Sequence, residues 1–170
     1  MMNFIKRIFT IFIFILVIFS SPAKCSDLVE TSGDVVLASI VGASLANIYF
    51  KSDKEGLKQY GLGFGTNIAA TYTLKLSINK KRPNGKSGSF PSAHTSIAFQ
   101  NATFIHKRYG FYKAIPFYLG SVYVTFSRVE SKNHYVEDVI AGGILGGIVS
   151  YFITSKYKNV SLSPIITNKI

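Results

Sequence analysis

Apolar residues in this chain come in blocks separated by short charged or glycine-containing connections. The blocks cover residues 8–20, 35–50, 59–74, 92–104, 114–127 and 139–154. None alternates strictly between apolar and polar positions, and each is longer than an ordinary strand, so the pattern predicts helices. Short connections between successive helices favour antiparallel neighbours. The expected fold is therefore all-α, an up-and-down helical bundle of about five core helices plus an N-terminal signal or anchor helix. Residues 51–58 and 106–113 read as solvated connections, and the polar tail after Ser155 reads as frayed. In the last block, "AGGILGG" spaces Gly142 from Gly146 and Gly143 from Gly147 by four residues. That spacing suits close helix contact, within the chain rather than in a dimer.

The N-terminus runs MMNFIKR, then an apolar stretch, then SPAKCS, the order of a secretory signal. Cleavage would follow Ala23 or Cys25, and the alternative is a retained anchor. The expected division is residues 1–25 as signal or anchor and 26–170 as one domain. No apolar block reaches the roughly 20 residues of an ordinary span, and several carry Asn, Thr or Ser, which keeps a soluble exported bundle as the second reading. Charge placement favours membrane embedding. With a cytoplasmic N-terminus, one face collects eleven cations and two acids, +9, and the other eight cations and six acids, +2. This follows the positive-inside rule.

The whole chain has 19 Lys and Arg against 8 Asp and Glu, net +11, which points to an anionic partner. Its aromatics are spread through the apolar blocks and not interleaved with a basic stripe, which disfavours nucleic acid. Cys25 is the single cysteine, so neither an intrachain disulfide nor a cysteine-based zinc site is available. The three histidines form no HExxH pair, and no metal site is expected.

Three polar groups lie at corresponding ends of successive blocks. In "KLSINKKRP", Lys75 and Arg82 are seven residues apart, near two helical turns, and Pro83 ends the regularity. In "FPSAHTS", Ser92 can start a helix whose free N–H groups lie beside His94, a natural anion site. Taken alone, Ser92 reads equally well as an N-cap and His94 as a surface histidine. In "SRVESKNHYVED", Arg128 precedes His134, and Asp138 follows it at i+4, a spacing that brings carboxylate and imidazole together on a helix. A structural His and Asp pair is the alternative there, and Glu130 and Glu137 read as solvated. Alternating helix directions carry all three groups to one end. Three cations and helix N–H groups match the oxygens of a phosphoryl group, and two histidines can divide nucleophile and proton donor.

These motifs resemble the type 2 phosphatidic acid phosphatase superfamily, which includes class A acid phosphatases and vanadium haloperoxidases. KxxxxxxRP runs from Lys75 to Pro83, PSGH appears as PSAH with Ala93 in the glycine position, and SRxxxxxHxxxD runs from Ser127 to Asp138. The resemblance implies that His134 attacks phosphorus, Asp138 orients it and His94 protonates the leaving oxygen. Lys75, Arg82, Ser92, the backbone at Ala93, and Arg128 would hold the phosphoryl group, with no cofactor. The expected function is a metal-independent phosphatase that hydrolyses lipid phosphate or lipid diphosphate through a phosphohistidine. Its partners would be the membrane and a phosphorylated lipid or small phosphate ester. The expected location is the inner membrane, with the site on the periplasmic or extracytoplasmic face. A soluble periplasmic acid phosphatase is the alternative, and a non-catalytic anionic-lipid binder stands behind it. The chain is small for the haloperoxidase branch.

Overall fold

A computed structural model describes residues 25–157. The expected signal or anchor, apart from Cys25, and the tail from residue 158 lie outside the described residues. Five helices follow one another: α1 (Cys25–Phe50), α2 (Lys54–Ile78), α3 (Ala93–Tyr109), α4 (Phe111–Glu130) and α5 (Val136–Ile153). No strand occurs among the described residues, and the all-α bundle expected from the sequence is the fold observed.

The helices outrun the apolar blocks. α1 has 26 residues because Asp27, Glu30, Thr31 and Asp34 continue the helix beyond the apolar stretch. α2 has 25, started by Asp53, whose carboxylate accepts from Gly56 N at 2.8 Å, and ended at Asn79 in the left-handed region. Asp27–Phe50 and Val136–Ile153 are long and apolar enough to cross a membrane.

α3 is the axis. Ala98, Ala102, Phe104 and Ile105 are fully buried on it and join Ile40, Ile48, Tyr60, Phe117 and Val124 in the core. Its polar residues face inward as well: Ser96 donates to Asn67 at 2.6 Å, and Tyr60 donates to Asn101 at 2.9 Å. Apolar side chains point outward instead, among them Leu62, Leu76, Leu119, Phe126, Ile140, Ile144, Ile148 and Phe152. A polar-laced interior within an apolar coat suits a lipid surround.

The glycines of "AGGILGG" are used within the chain. A Cβ on Gly142 would run into the Ser92 carbonyl, and one on Gly146 into the Ser96 carbonyl. α5 therefore lies backbone-to-backbone on the start of α3.

At one end of the bundle, Arg108 is held by Asp53, with Nε to Oδ2 at 2.8 Å, and also reaches the Ser155 carbonyl at 3.0 Å. Burial pushes the Asp53 carboxyl up, but the bonds from Arg108, the Gly56 amide and Tyr109 outweigh it and hold it below its ordinary value. Tyr157 N donates to Arg108 O at 2.9 Å, so the chain is docked as far as residue 157, beyond the point where fraying was expected. The opposite end carries the motif loops.

Candidate active site

The α2–α3 and α4–α5 connections are clamped to each other. Asn84 N donates to Lys132 O at 3.1 Å, Asn84 Nδ2 to Asn133 Oδ1 at 3.0 Å, and Ser89 Oγ to Asp138 Oδ2 at 2.5 Å. The three groups singled out by sequence thus meet at one end. Two of them sit differently from the helical spacing expected. Arg82 lies in the loop after α2, not on a continuing helix, and its buried Nε has no hydrogen-bond partner. Lys75, near the end of α2, donates to Gly88 O at 2.7 Å and ties the loop back.

Ser92 caps α3. It is fully buried, its Oγ receives Thr95 Oγ1 at 3.2 Å, and its amide donates to Asp138 O at 2.9 Å. Ala93 is the first residue of α3 and has no positive φ, so a side chain in the motif's glycine position brings no strain. The first helical amides, Ala93 N and His94 N, have no intrahelical acceptor and are oriented for an anion.

His134 precedes α5 instead of sharing a helix face with Asp138. Its Nδ1 lies 3.9 Å from Asp138 Oδ2, an ion-pair distance without a hydrogen bond, and the Ser89 backbone lies beside the ring. The Asp138 carboxylate is committed elsewhere: it accepts from Tyr135 N at 3.0 Å, Ser89 Oγ and Lys80 Nζ at 2.8 Å. Burial, and then repulsion by Lys75 and Arg82, pushes the His134 imidazole down to about 4. It is neutral at physiological pH.

Arg128 is buried at the end of α4. Its Nε reaches Ser127 Oγ at 3.1 Å, and its second amino group donates to Glu30 O at 2.6 Å. A single oxygen, Asp34 Oδ1, lies 3.0 Å from Arg128 and 3.2 Å from His94 Nε2. Gly33 makes this approach possible, since a Cβ there would meet Ser127 Oγ and the Arg128 guanidinium. Asp34, Lys80 and Ser89 contact the candidate site residues directly, and sequence reasoning missed them. The readable trace of Asp34 was an acidic pair at i and i+4, Glu30 and Asp34, at the motif end of an apolar helix. His106, given no role, sits at the far end of α3 and meets Tyr118 OH at 3.1 Å.

The family profile described as PAP2 superfamily matches residues 71–161, more than half of the chain. The chain belongs to the PAP2 superfamily. Among curated PAP2 relatives, a lipid A 1-phosphatase of Porphyromonas gingivalis is 34% identical over 87 residues, 47% of this chain but 20% of the relative. The chain thus spans about a fifth of that protein's length. A lipid A 4'-phosphatase of Helicobacter pylori is 25% identical over 143 residues, 77% of this chain and 72% of the relative. Among solved structures, LpxE of Aquifex aeolicus superposes with a TM-score of 0.63 at 21% identity, covering 74% of this chain and 85% of that one. The first transmembrane PAP2 type phosphatidylglycerolphosphate phosphatase from Bacillus subtilis gives 0.60 at 25% identity, covering 81% and 78%. The PAP2 match begins in α2, so Glu30 and Asp34, the α1 residues that contact Arg128 and His94, lie outside it.

Proposed function

We propose that this PAP2 chain is a membrane-embedded, metal-independent phosphatase that hydrolyses a lipid phosphate through a phosphohistidine on His134. The observation that carries the reading is a neutral, buried imidazole beside Lys75 and Arg82, on a loop clamped to the one that leads into Ser92 and His94. The relatives' names, two lipid A phosphatases and a phosphatidylglycerolphosphate phosphatase, supply the lipid class. The apolar exterior supports embedding over a soluble acid phosphatase, and the charge split supports a site on the extracytoplasmic face.

The phosphoryl oxygens are held by Lys75, Arg82, Arg128 and the α3 amides at Ala93 and His94, which neutralise charge as it moves onto them. The nitrogen of His134 remote from Asp138, Nε2, attacks phosphorus, and Asp138 stabilises the imidazole as it becomes cationic. Protonated His94 gives its proton to the departing oxygen. Neutral His94 then takes a proton from water, which attacks phosphorus and releases phosphate while His134 regains its lone pair.

The test is a phosphate-release screen over lipid monophosphates, lipid diphosphates and aryl phosphates, using detergent-solubilised full-length protein in the presence of chelator. Release from a lipid phosphate, inhibition by vanadate, and loss of both turnover and phosphoenzyme in His134→Ala are expected. Lipid binding without release from any substrate would leave only the binder reading. Loss of activity on chelation, restored by one divalent ion, would overturn the metal-free chemistry. Release of the protein from membranes by an alkaline wash would overturn embedding.

A further inference from the structure

Asp34 projects from the third turn of α1 against the Arg128 guanidinium and the His94 imidazole. Its carboxylate is half exposed, whereas the Arg128 guanidinium it touches is 2% exposed, so the acid stands at the mouth and the cation beneath it. The same oxygen meets Nε2 of His94, the proposed proton donor to the departing group. One turn earlier, Glu30 Oε1 lies 4.0 Å from Arg128. Two carboxylates therefore stand beside Arg128 and His94, the proposed proton donor, while Lys75 lies toward His134 and Arg82 acts on both imidazoles.

Charge placed this way distinguishes substrates by what leaves. In a phosphomonoester the P–O bond breaks, the His134 N–P bond forms, and the oxygen takes the His94 proton to depart as a neutral alcohol. In a lipid diphosphate the same step expels a lipid monophosphate, an anion that must pass Asp34 and Glu30. The transferring phosphoryl group is common to both, so the attraction of Arg82 and Arg128 for it cancels from the comparison. What differs on the α1 side is the charge of the departing group, since a phosphate is repelled by the α1 carboxylates, and its basicity, since an alkoxide needs the proton of His94 more than a phosphate does. A like charge held near a desolvated site is a device for rejecting a competitor.

We propose that Asp34, assisted by Glu30, is a specificity-determining residue that selects phosphomonoesters with an uncharged departing alcohol over lipid diphosphates. The proposal rests on the phosphatase reading and narrows its substrate class.

The test compares kcat/KM for a prenyl monophosphate and the prenyl diphosphate of the same chain length, with wild type, Asp34→Asn, Asp34→Glu and Glu30→Gln. Wild type should favour the monophosphate by about tenfold or more, the scale of a close like-charge contact. Asp34→Asn should shrink that ratio by about tenfold, Glu30→Gln by less, and Asp34→Glu should keep most of it. A wild-type preference for the diphosphate, or a ratio unchanged in Asp34→Asn, overturns the proposal. Absence of phosphate release from either lipid sinks the phosphatase reading instead. Competition between the same two lipids for micelle-bound protein then decides selectivity on its own: Asp34→Asn must narrow the preference for the monophosphate, or the proposal fails.

Discussion

Replacing Gly142 by alanine adds one methyl group where α5 meets the first residue before α3. The built Cβ falls inside 3.0 Å of the Ser92 carbonyl, closer than side-chain carbons sit in proteins, and every nearby atom of Ser92 is backbone. No rotamer can yield, so α5 has to move off by about 1 Å. Over-packing of this kind costs about 1–3 kcal/mol, from which alanine's helix preference over glycine returns about 1. The functional loss should be larger than the stability loss. Ser92 and the α3 amides lie on one side of the contact, with His134 and Asp138 on the other, and a 1 Å misplacement of reacting groups costs about 100-fold. Gly143→Ala is the control, because the atoms nearest its Cβ belong to the Phe99 ring, at 3.2 Å, a side chain that can swing aside. Thermal unfolding in detergent and phosphate release should show Gly142→Ala several degrees less stable and at least tenfold slower, with Gly143→Ala close to wild type. Equal behaviour of the two variants would refute the argument that this contact sets the site's geometry.

Nuclear magnetic resonance of isotope-labelled histidine should show one imidazole titrating near pH 4, absent in His134→Ala. Because its value is lowered, His134 stays neutral as pH falls from 7 and is protonated only close to 4, so all three histidines titrating between 6 and 7 would contradict the burial and cation argument. Lys80→Met removes a cation from Asp138. Turnover should fall while KM changes little, and an unchanged kcat would reduce Lys80 to a surface ion pair. Reporter fusions after Arg82 and after Lys132 should both read extracytoplasmic, and one after Lys54 cytoplasmic. Opposite sides for the two motif loops would break the single site.

Helix number, direction and the meeting of the three motifs were legible because each follows from chain-local periodicity and alternation. The geometry inside the site was not. The i to i+4 spacing of His134 and Asp138 assumes one helix, but α5 starts at Val136, and Asp138 turns back to bond the Tyr135 amide as a first-turn acid does. Lys75 and Arg82 were similarly read on one helix that stops at Ile78. Asp34 and Lys80 contact partners 60 and 58 residues away, His94 and Asp138, and no spacing rule reaches that far. The start of α1 was cut short at Val35 because hydropathy discounts the acids of its first turns, which are the ones that reach the site.

Arg108 gives the chain a working boundary that differs from its last helical residue. Its guanidinium is satisfied by Asp53 before α2 and by the Ser155 and Lys156 carbonyls after α5, and its own carbonyl receives Tyr157 N. Trimming the protein at Ile153 would remove those acceptors and leave a 5% exposed cation leaning on one carboxylate. The part of the chain docked on the bundle therefore reaches Tyr157, four residues past the end of α5.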